Sequence, residues 1–240
     1  MGGTSWGEVN IGRTISLLID EYGGHKWRPR HDPLSVLVQT ILSQNTSDAN
    51  SGRAFKSLRT AFGSWEDIAA AGVDEVAASI RVGGLGKIKA KRIKQALGEI
   101  QRKRGKLELS FLDKLPLAEA REWLKQLPGV GTKTANCVLL FSSGRPALPV
   151  DTHIFRVAKR LGLVDPEASI EQAHELLESM VPPEDVYQFH VLMIGHGRRV
   201  CQAQRPRCPQ CVLRRLCPGY AKIMIKSAET GVTQRGVSRV

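Results

Sequence analysis

What the chain lacks narrows it first. No uninterrupted apolar run among its 240 residues approaches the ~20 needed to cross a bilayer, which excludes a membrane bundle. Almost no stretch alternates polar and apolar residues, so a sheet is not expected. The opening residues, MGGTSW, have neither the basic nor the apolar region of a secretory signal. They also place Trp6 where N-myristoylation would need Ser or Thr. Cysteine is scarce, with five in all, and four of them fall within 17 residues, which speaks against an evenly stapled disulfide scaffold. Acids are in deficit: 23 Asp and Glu face 35 Lys and Arg, a formal net charge of +12. That excess favours a polyanionic partner, because each phosphate neutralised by Lys or Arg releases condensed counterions. The plainer alternative is simple solubility, and the location of the charge separates the two. Hydrophobic residues still reach 42%, enough for a real core and too many for a disordered tail.

What is present recurs at helical spacing, and the predicted fold class is all-α. Helices are expected over about 8–22, from the Asp32-Pro33 cap onward, and over 48–62, 65–71, 73–80, 87–104, 117–127, 133–141, 152–161, 170–180 and 184–200. Asp32 followed by Pro33 is an N-cap with proline in the first turn. Residues 221–240 are polar and read as a C-terminal tail. One pattern occurs twice. Gly84-Leu85-Gly86 is followed by Ala90, and Gly129-Val130-Gly131 by Ala135 at the same offset. Such a turn bends sharply with positive φ and leaves the next helix's first N–H groups free for a phosphate. An ordinary tight connection between helices has the same look.

Cys201, Cys208, Cys211 and Cys217 are spaced C-x6-C-x2-C-x5-C. Four soft thiolates in so short a segment can close around one tetrahedral ion or one cubane cluster. Zinc ribbons use two CxxC pairs on a longer arm, whereas only Cys208 and Cys211 form a CxxC here. The irregular loop suits a [4Fe–4S] cluster better, with zinc left as the alternative. No acid occurs from Arg198 to Lys226, while Arg205, Arg207 and Arg214 sit inside the loop, so a metal-pinned patch could present them to phosphates. A second basic patch is the helix after Gly86, with Lys87, Lys89, Lys91, Arg92 and Lys94 followed by the basic run to Lys106 and a single acid, Glu99. Cys137 is expected to be a small core residue.

Three strings in order carry a resemblance: Leu127-Pro-Gly-Val-Gly-Thr-Lys-Thr-Ala-Asn136, Val150-Asp-Thr-His-Ile-Phe-Arg-Val157, and the four-cysteine loop. Together they closely resemble endonuclease III, the iron–sulfur branch of the helix-hairpin-helix DNA glycosylases, over about residues 30–220. The resemblance implies a two-domain all-α fold. Residues 30–142 would form a central helical domain carrying the hairpin at 127–131. Residues 1–29 and 143–220 would form the iron–sulfur domain, with 221–240 as the tail. It implies damaged or abasic double-stranded DNA as the partner, lying across the cleft between the domains. The enzyme would be a monomer with no membrane partner, located in the cytoplasm and on the nucleoid in a prokaryote.

The resemblance also implies roles for residues. Leu127, Gly129, Val130 and Gly131 would grip the DNA backbone through main-chain N–H groups. Lys133 would be the nucleophile, forming a Schiff base at the sugar C1′. Burial and the helix N-terminus would both disfavour its charge and free the amine; on its own it reads as a phosphate-contacting cation. Asp151 would assist Lys133 and could cap its helix at the same time. His153 is either structural or a phosphate contact. Leu85 matches the wedge that enters the duplex when a base leaves the stack. Gln44 or Asn45 would fill the gap, although bacterial relatives usually place Gln where this chain has Asn45. Arg205 and Arg207 would contact phosphates.

The leading expectation is a base-excision-repair glycosylase with AP lyase activity on damaged pyrimidines. Mismatch- and adenine-specific relatives tend to lack a lysine at the position of Lys133. The altered Gln44-Asn45 pair keeps a mismatch glycosylase on T or U opposite G as the second reading. The third is a non-catalytic iron–sulfur DNA-binding module, for which Lys133 and Asp151 together would be superfluous.

Overall fold

The computed structural model describes residues 10–28 and 31–229 of the chain, and among them no strand occurs. Twelve α-helices follow in order: α1 (Ile11–Tyr22), α2 (Pro33–Ser43), α3 (Asp48–Ala61), α4 (Trp65–Ala70), α5 (Val73–Ser79), α6 (Gly86–Arg104), α7 (Leu117–Lys125), α8 (Thr132–Ser143), α9 (Thr152–Leu161), α10 (Ile170–Met180), α11 (Val186–Arg199) and α12 (Pro218–Glu229). Their ends are set by local chemistry. Asp32 caps α2 through a 3.0 Å bond from the Ser35 amide, and Ser47 caps α3. Ser64 with Asp67, and Ser169 with Gln172, form reciprocal capping boxes at α4 and α10.

Two compact units emerge, 27–149 and a second made of 1–26 and 150–240. The division falls between Pro149 and Val150, later than the 142/143 boundary read from the sequence. In the first unit, α2 and α8 are the central helices and pack on each other. Leu34, Val36, Leu37, Val38, Ile41 and Leu42 are buried around nearly the whole of α2. In α8, Ala135, Cys137, Val138, Leu139 and Leu140 are buried likewise. A helix apolar on all sides is one enclosed by others. Because α8 is clamped along its length, whatever stands in its first turn is held on a rigid support.

In the second unit, α9 and α1 both pack on α11, and α12 packs on α9. Ile154, Val157, Ala158 and Leu161 recur at helical spacing along the buried face of α9. The tail expected from residue 221 is corrected here, since α12 continues to Glu229. Residues 230–240, and residues 8 and 9 of the first expected helix, lie outside the described residues. No helix among the described residues is long and apolar enough to cross a membrane.

Candidate functional site

The hairpin between α7 and α8 is built from Leu127 to Gly131. Leu127 and Val130 turn their side chains into the core, so only their backbone remains for a ligand. Gly129 has φ +78°, a conformation that glycine adopts without strain. Its α-carbon faces the stem of Arg92, whose Cδ would lie 3.4 Å from an added Cβ. Gly131 is the N-cap of α8 and has no side chain to satisfy the first-turn amides. Those amides and the helix dipole form an anion-binding end.

Lys133 stands at the second position of α8. It is half-buried, which corrects the expectation of a buried amine. Its ammonium has no hydrogen-bond or ion-pair partner among the described residues. Asp151 is the N-cap of α9. One oxygen, Oδ1, accepts from the amides of His153 at 2.9 Å and Ile154 at 2.8 Å. No hydrogen bond reaches Oδ2 among the described residues. The carboxylate therefore caps with one oxygen and keeps the other available. His153 packs against Gly197 of α11, and its Nδ1 lies 3.2 Å from Arg156 Nη2.

The other Gly–apolar–Gly turn is organised differently. Leu85 has φ 51° and ψ 36°, opens α6 as its N-cap, and is 52% exposed. Val82 and Ile88 on either side are also exposed, so an apolar tip stands clear of the core. Gly86 packs closely on α5, where an added Cβ would lie 3.1 Å from the Ala77 carbonyl oxygen. Asn45, on the α2–α3 loop, is exposed with φ 53°. Gln44 beside it is engaged, its Oε1 accepting from Arg92 Nη1 at 2.6 Å.

The basic helix α6 is less of a surface than its composition suggests. Lys87 pairs with Asp74 at 3.0 Å. Lys89 is buried, and Lys94 donates to the carbonyls of Ala69 and Ala71. Arg102 and Lys103 bind Glu99. Lys91 and Arg92 remain exposed on this face. The sequence pattern concealed these inward lysines because the carbonyls of Leu42, Ala69 and Ala71 that hold them lie far away in the chain.

The four clustered cysteines line one hollow, together with Arg160, Val200 and Tyr220. Among the described residues no three His, Cys, Asp or Glu side chains converge on a single-ion position. A zinc ion needs its donors ~2.0–2.3 Å from one point. Four thiols lining one hollow are also the donor set that a polynuclear cluster uses. Burial raises the Cys208 and Cys217 thiols and pushes Cys211 up to about 11, a tendency that a bound cationic centre would reverse.

Helix α9 fastens this loop. Arg156 Nε donates to the Cys201 carbonyl at 2.9 Å. Arg160 donates to the Gln202 carbonyl at 2.7 Å and to the Ala203 carbonyl at 2.9 Å. Its Nη1 lies 3.3 Å from Cys201 Sγ. From α11, His196 places Nε2 3.4 Å from Cys211 Sγ and Nδ1 3.0 Å from the Tyr22 hydroxyl. Burial holds His196 down to about 4, so the imidazole is neutral at pH 7. An Nε2–H donated to sulfur and a Tyr22 O–H donated to Nδ1 satisfy all three groups. Arg205 and Arg207 are exposed on the loop, and Arg214 turns back to the Pro209 carbonyl at 2.5 Å.

Comparison with known proteins adds to this geometry. The family model described as HhH-GPD superfamily base excision DNA repair protein matches residues 38–183. An Arabidopsis thaliana protein assigned as a DNA glycosylase is 39% identical over 165 residues, covering 69% of this chain and 56% of the plant protein. Endonuclease III of Thermotoga maritima is 35% identical over 191 residues, covering 80% of this chain and 85% of the relative. Among solved structures, a trapped endonuclease III–DNA covalent intermediate superposes with a TM-score of 0.77 at 32% identity, covering 89% of this chain and 97% of that one.

Proposed function

Because the chain belongs to the HhH-GPD superfamily of base excision DNA repair proteins and is a DNA glycosylase related to endonuclease III, we propose that it is bifunctional, excising damaged pyrimidines from double-stranded DNA and then cutting the abasic strand. The observation that carries this reading is Lys133, a partnerless amine in the first turn of the clamped helix α8, directly after the hairpin. In its neutral form Lys133 Nζ attacks C1′ of the extruded nucleotide, and the N-glycosidic bond breaks as the base leaves with a proton. The deoxyribose ring opens to an imine on Lys133. Loss of a C2′ proton then expels the 3′ phosphate by β-elimination, and water hydrolyses the imine to free the enzyme. The covalent intermediate trapped in a structural relative supports this route.

The resemblance gives Asp151 the role of assisting Lys133 and countering positive charge at C1′, and Oδ2, the oxygen not used for capping, is available for it. The amides of Gly129, Gly131 and the first turn of α8 bind a phosphate of the damaged strand and set its register. Leu85 enters the duplex where the base leaves, and an amide from the 44–45 loop faces the unpaired partner base.

Cys201, Cys208, Cys211 and Cys217, which line one hollow, would hold a [4Fe–4S] cluster. When bound, that group serves as a fixed cross-link of the loop. Arg156 and Arg160 hold the loop backbone from α9, and Arg205 and Arg207 extend from it toward phosphates.

Borohydride trapping on a thymine glycol duplex tests the reading. A covalent adduct is expected with the wild type and none with Lys133→Gln. An adduct that persists in Lys133→Gln, or its absence from the folded wild type, contradicts it. Faster excision from a T·G duplex than from thymine glycol would favour the mismatch reading, for which the Asn45 substitution at the gap is the motive.

A further inference from the structure

Among the described residues only two that are not glycine have positive φ: Asn45 and Leu85. In this region Cβ crowds the following carbonyl oxygen. Asn can compensate with local hydrogen bonds, but Leu cannot. Such a conformation persists only where the surroundings over-determine it. The two residues lie on loops forty positions apart, so a common cause must be tertiary.

One side chain, Lys89, ties the ends of both loops. Its side chain is 1% exposed, and Nζ donates to the Leu42 carbonyl at 2.7 Å and the Gly83 carbonyl at 2.9 Å. Leu42 lies in the last turn of α2, whose terminal carbonyls lack helical partners, and the Asn45 loop begins there. Gly83 immediately precedes the Gly84-Leu85-Gly86 turn. The Thr46 hydroxyl donates to the same Gly83 carbonyl from the other loop. One ammonium and one hydroxyl thus tie both loops at a single point. Burying an ammonium is costly, and a Met of similar length would fill the space without that cost. Desolvation accordingly pushes the Lys89 ammonium down from its ordinary range. A lysine here makes physical sense as a clamp for two carbonyls that would otherwise be orphaned. One turn later Arg92 holds Gln44, which leaves Asn45 as the exposed amide, without a hydrogen-bond partner among the described residues.

We propose that Lys89 is a positioning residue that latches the Asn45 loop to the Leu85 turn, so that Leu85 as wedge and Asn45 as gap-filling amide meet DNA as one rigid two-pronged probe. The proposal rests on the DNA glycosylase reading. Its physical advantage is preorganisation: loops already fixed lose little freedom when they enter the duplex.

The test uses the full chain and a duplex with an uncleavable tetrahydrofuran abasic analogue opposite 2-aminopurine. Wild-type binding should raise 2-aminopurine emission as the partner base loses its stacking. Lys89→Met should lose most of that rise and slow excision by up to about 10²-fold, the scale of a misplacement near 1 Å. Affinity for undamaged duplex, set by the hairpin and exposed cations, should stay within about twofold. Lys89→Arg, which keeps donors, should recover part of the emission. Combined with Leu85→Ala, Lys89→Met should cost less than it does alone, because part of the latch acts through the wedge. Wild-type emission in a folded Lys89→Met protein, or additive losses in the double variant, would overturn the proposal. Should Lys89→Met not fold, Thr46→Val carries the test: reduced emission supports the latch and wild-type emission overturns it. Asn45→Ala should change the ranking of opposing bases and Gln44→Ala should not; the reverse overturns the assignment of the amide. The analogue reads insertion without chemistry. A wild type that raises emission but cuts no substrate contradicts the functional reading alone, whereas a wild type that raises none contradicts the probe.

Discussion

Two Gly–apolar–Gly turns lead into helices in the same unit, and they use one sequence pattern in opposite ways. At Gly129-Val130-Gly131 the apolar residue is 6% exposed, and the first glycine takes the positive φ. The backbone therefore faces outward, and the lysine that follows, Lys133, stands half-buried and without a partner. At Gly84-Leu85-Gly86 the apolar residue adopts positive φ as well as the glycine before it and is 52% exposed, while Lys89, beyond the exposed Lys87, is buried against two carbonyls. In both, the alanine six residues after the first glycine is fully buried. The same anchor thus supports an outward-facing backbone with a free amine in one case and an exposed apolar side chain with a captive amine in the other.

This contrast can be broken by substitution. The largest effect is expected at the free amine, where Lys133→Gln should abolish the reducible adduct while Lys89→Gln should still form one. Asp151→Asn comes next. Asn keeps the N-cap, so thermal stability should hold, but turnover should fall by about 10²-fold because the charge and proton acceptor are gone. The turns should then differ in the sign of their stability effects. Val130→Ala removes buried carbon and should cost about 2 kcal/mol in denaturant unfolding. Leu85→Gly should stabilise by about 1 kcal/mol, since glycine relieves the left-handed conformation, and should nonetheless reduce excision. A stabilised and fully active Leu85→Gly would leave the strain without a function. The smallest effect is expected at the cysteine loop, where Arg205→Ala and Arg207→Ala should each lower the salt slope of DNA binding by about 0.9 if each neutralises one phosphate.

Much of this was legible in the sequence because it is local. Asp32 with Pro33, Ser47 before Asp48, and the apolar spacing of α2 and α9 specify their helices through neighbours a few residues away. The capping role of Asp151 was readable for the same reason. The fate of α6 was not. Its lysines look alike in sequence, and only carbonyls at Leu42, Ala69, Ala71 and Gly83 decide that Lys89 and Lys94 turn inward. The choice between Gln44 and Asn45 also depended on a distant partner, Arg92. Helix α12 was missed although Ile223, Met224 and Ile225 interrupt the polar run, because its packing on α9 lies outside any local window. The side chains of Leu127 and Val130 turned inward for a similar reason: the motif marks the backbone, and the core claims the rest.

The most direct measurement is the site of attachment. Wild-type protein is reduced with borohydride on an abasic duplex, digested, and the modified peptide is sequenced by mass spectrometry. Attachment at Lys133 alone is the predicted result. Attachment at Lys89, or at any other amine with Lys133 unmodified, would contradict the division of labour between the two turns.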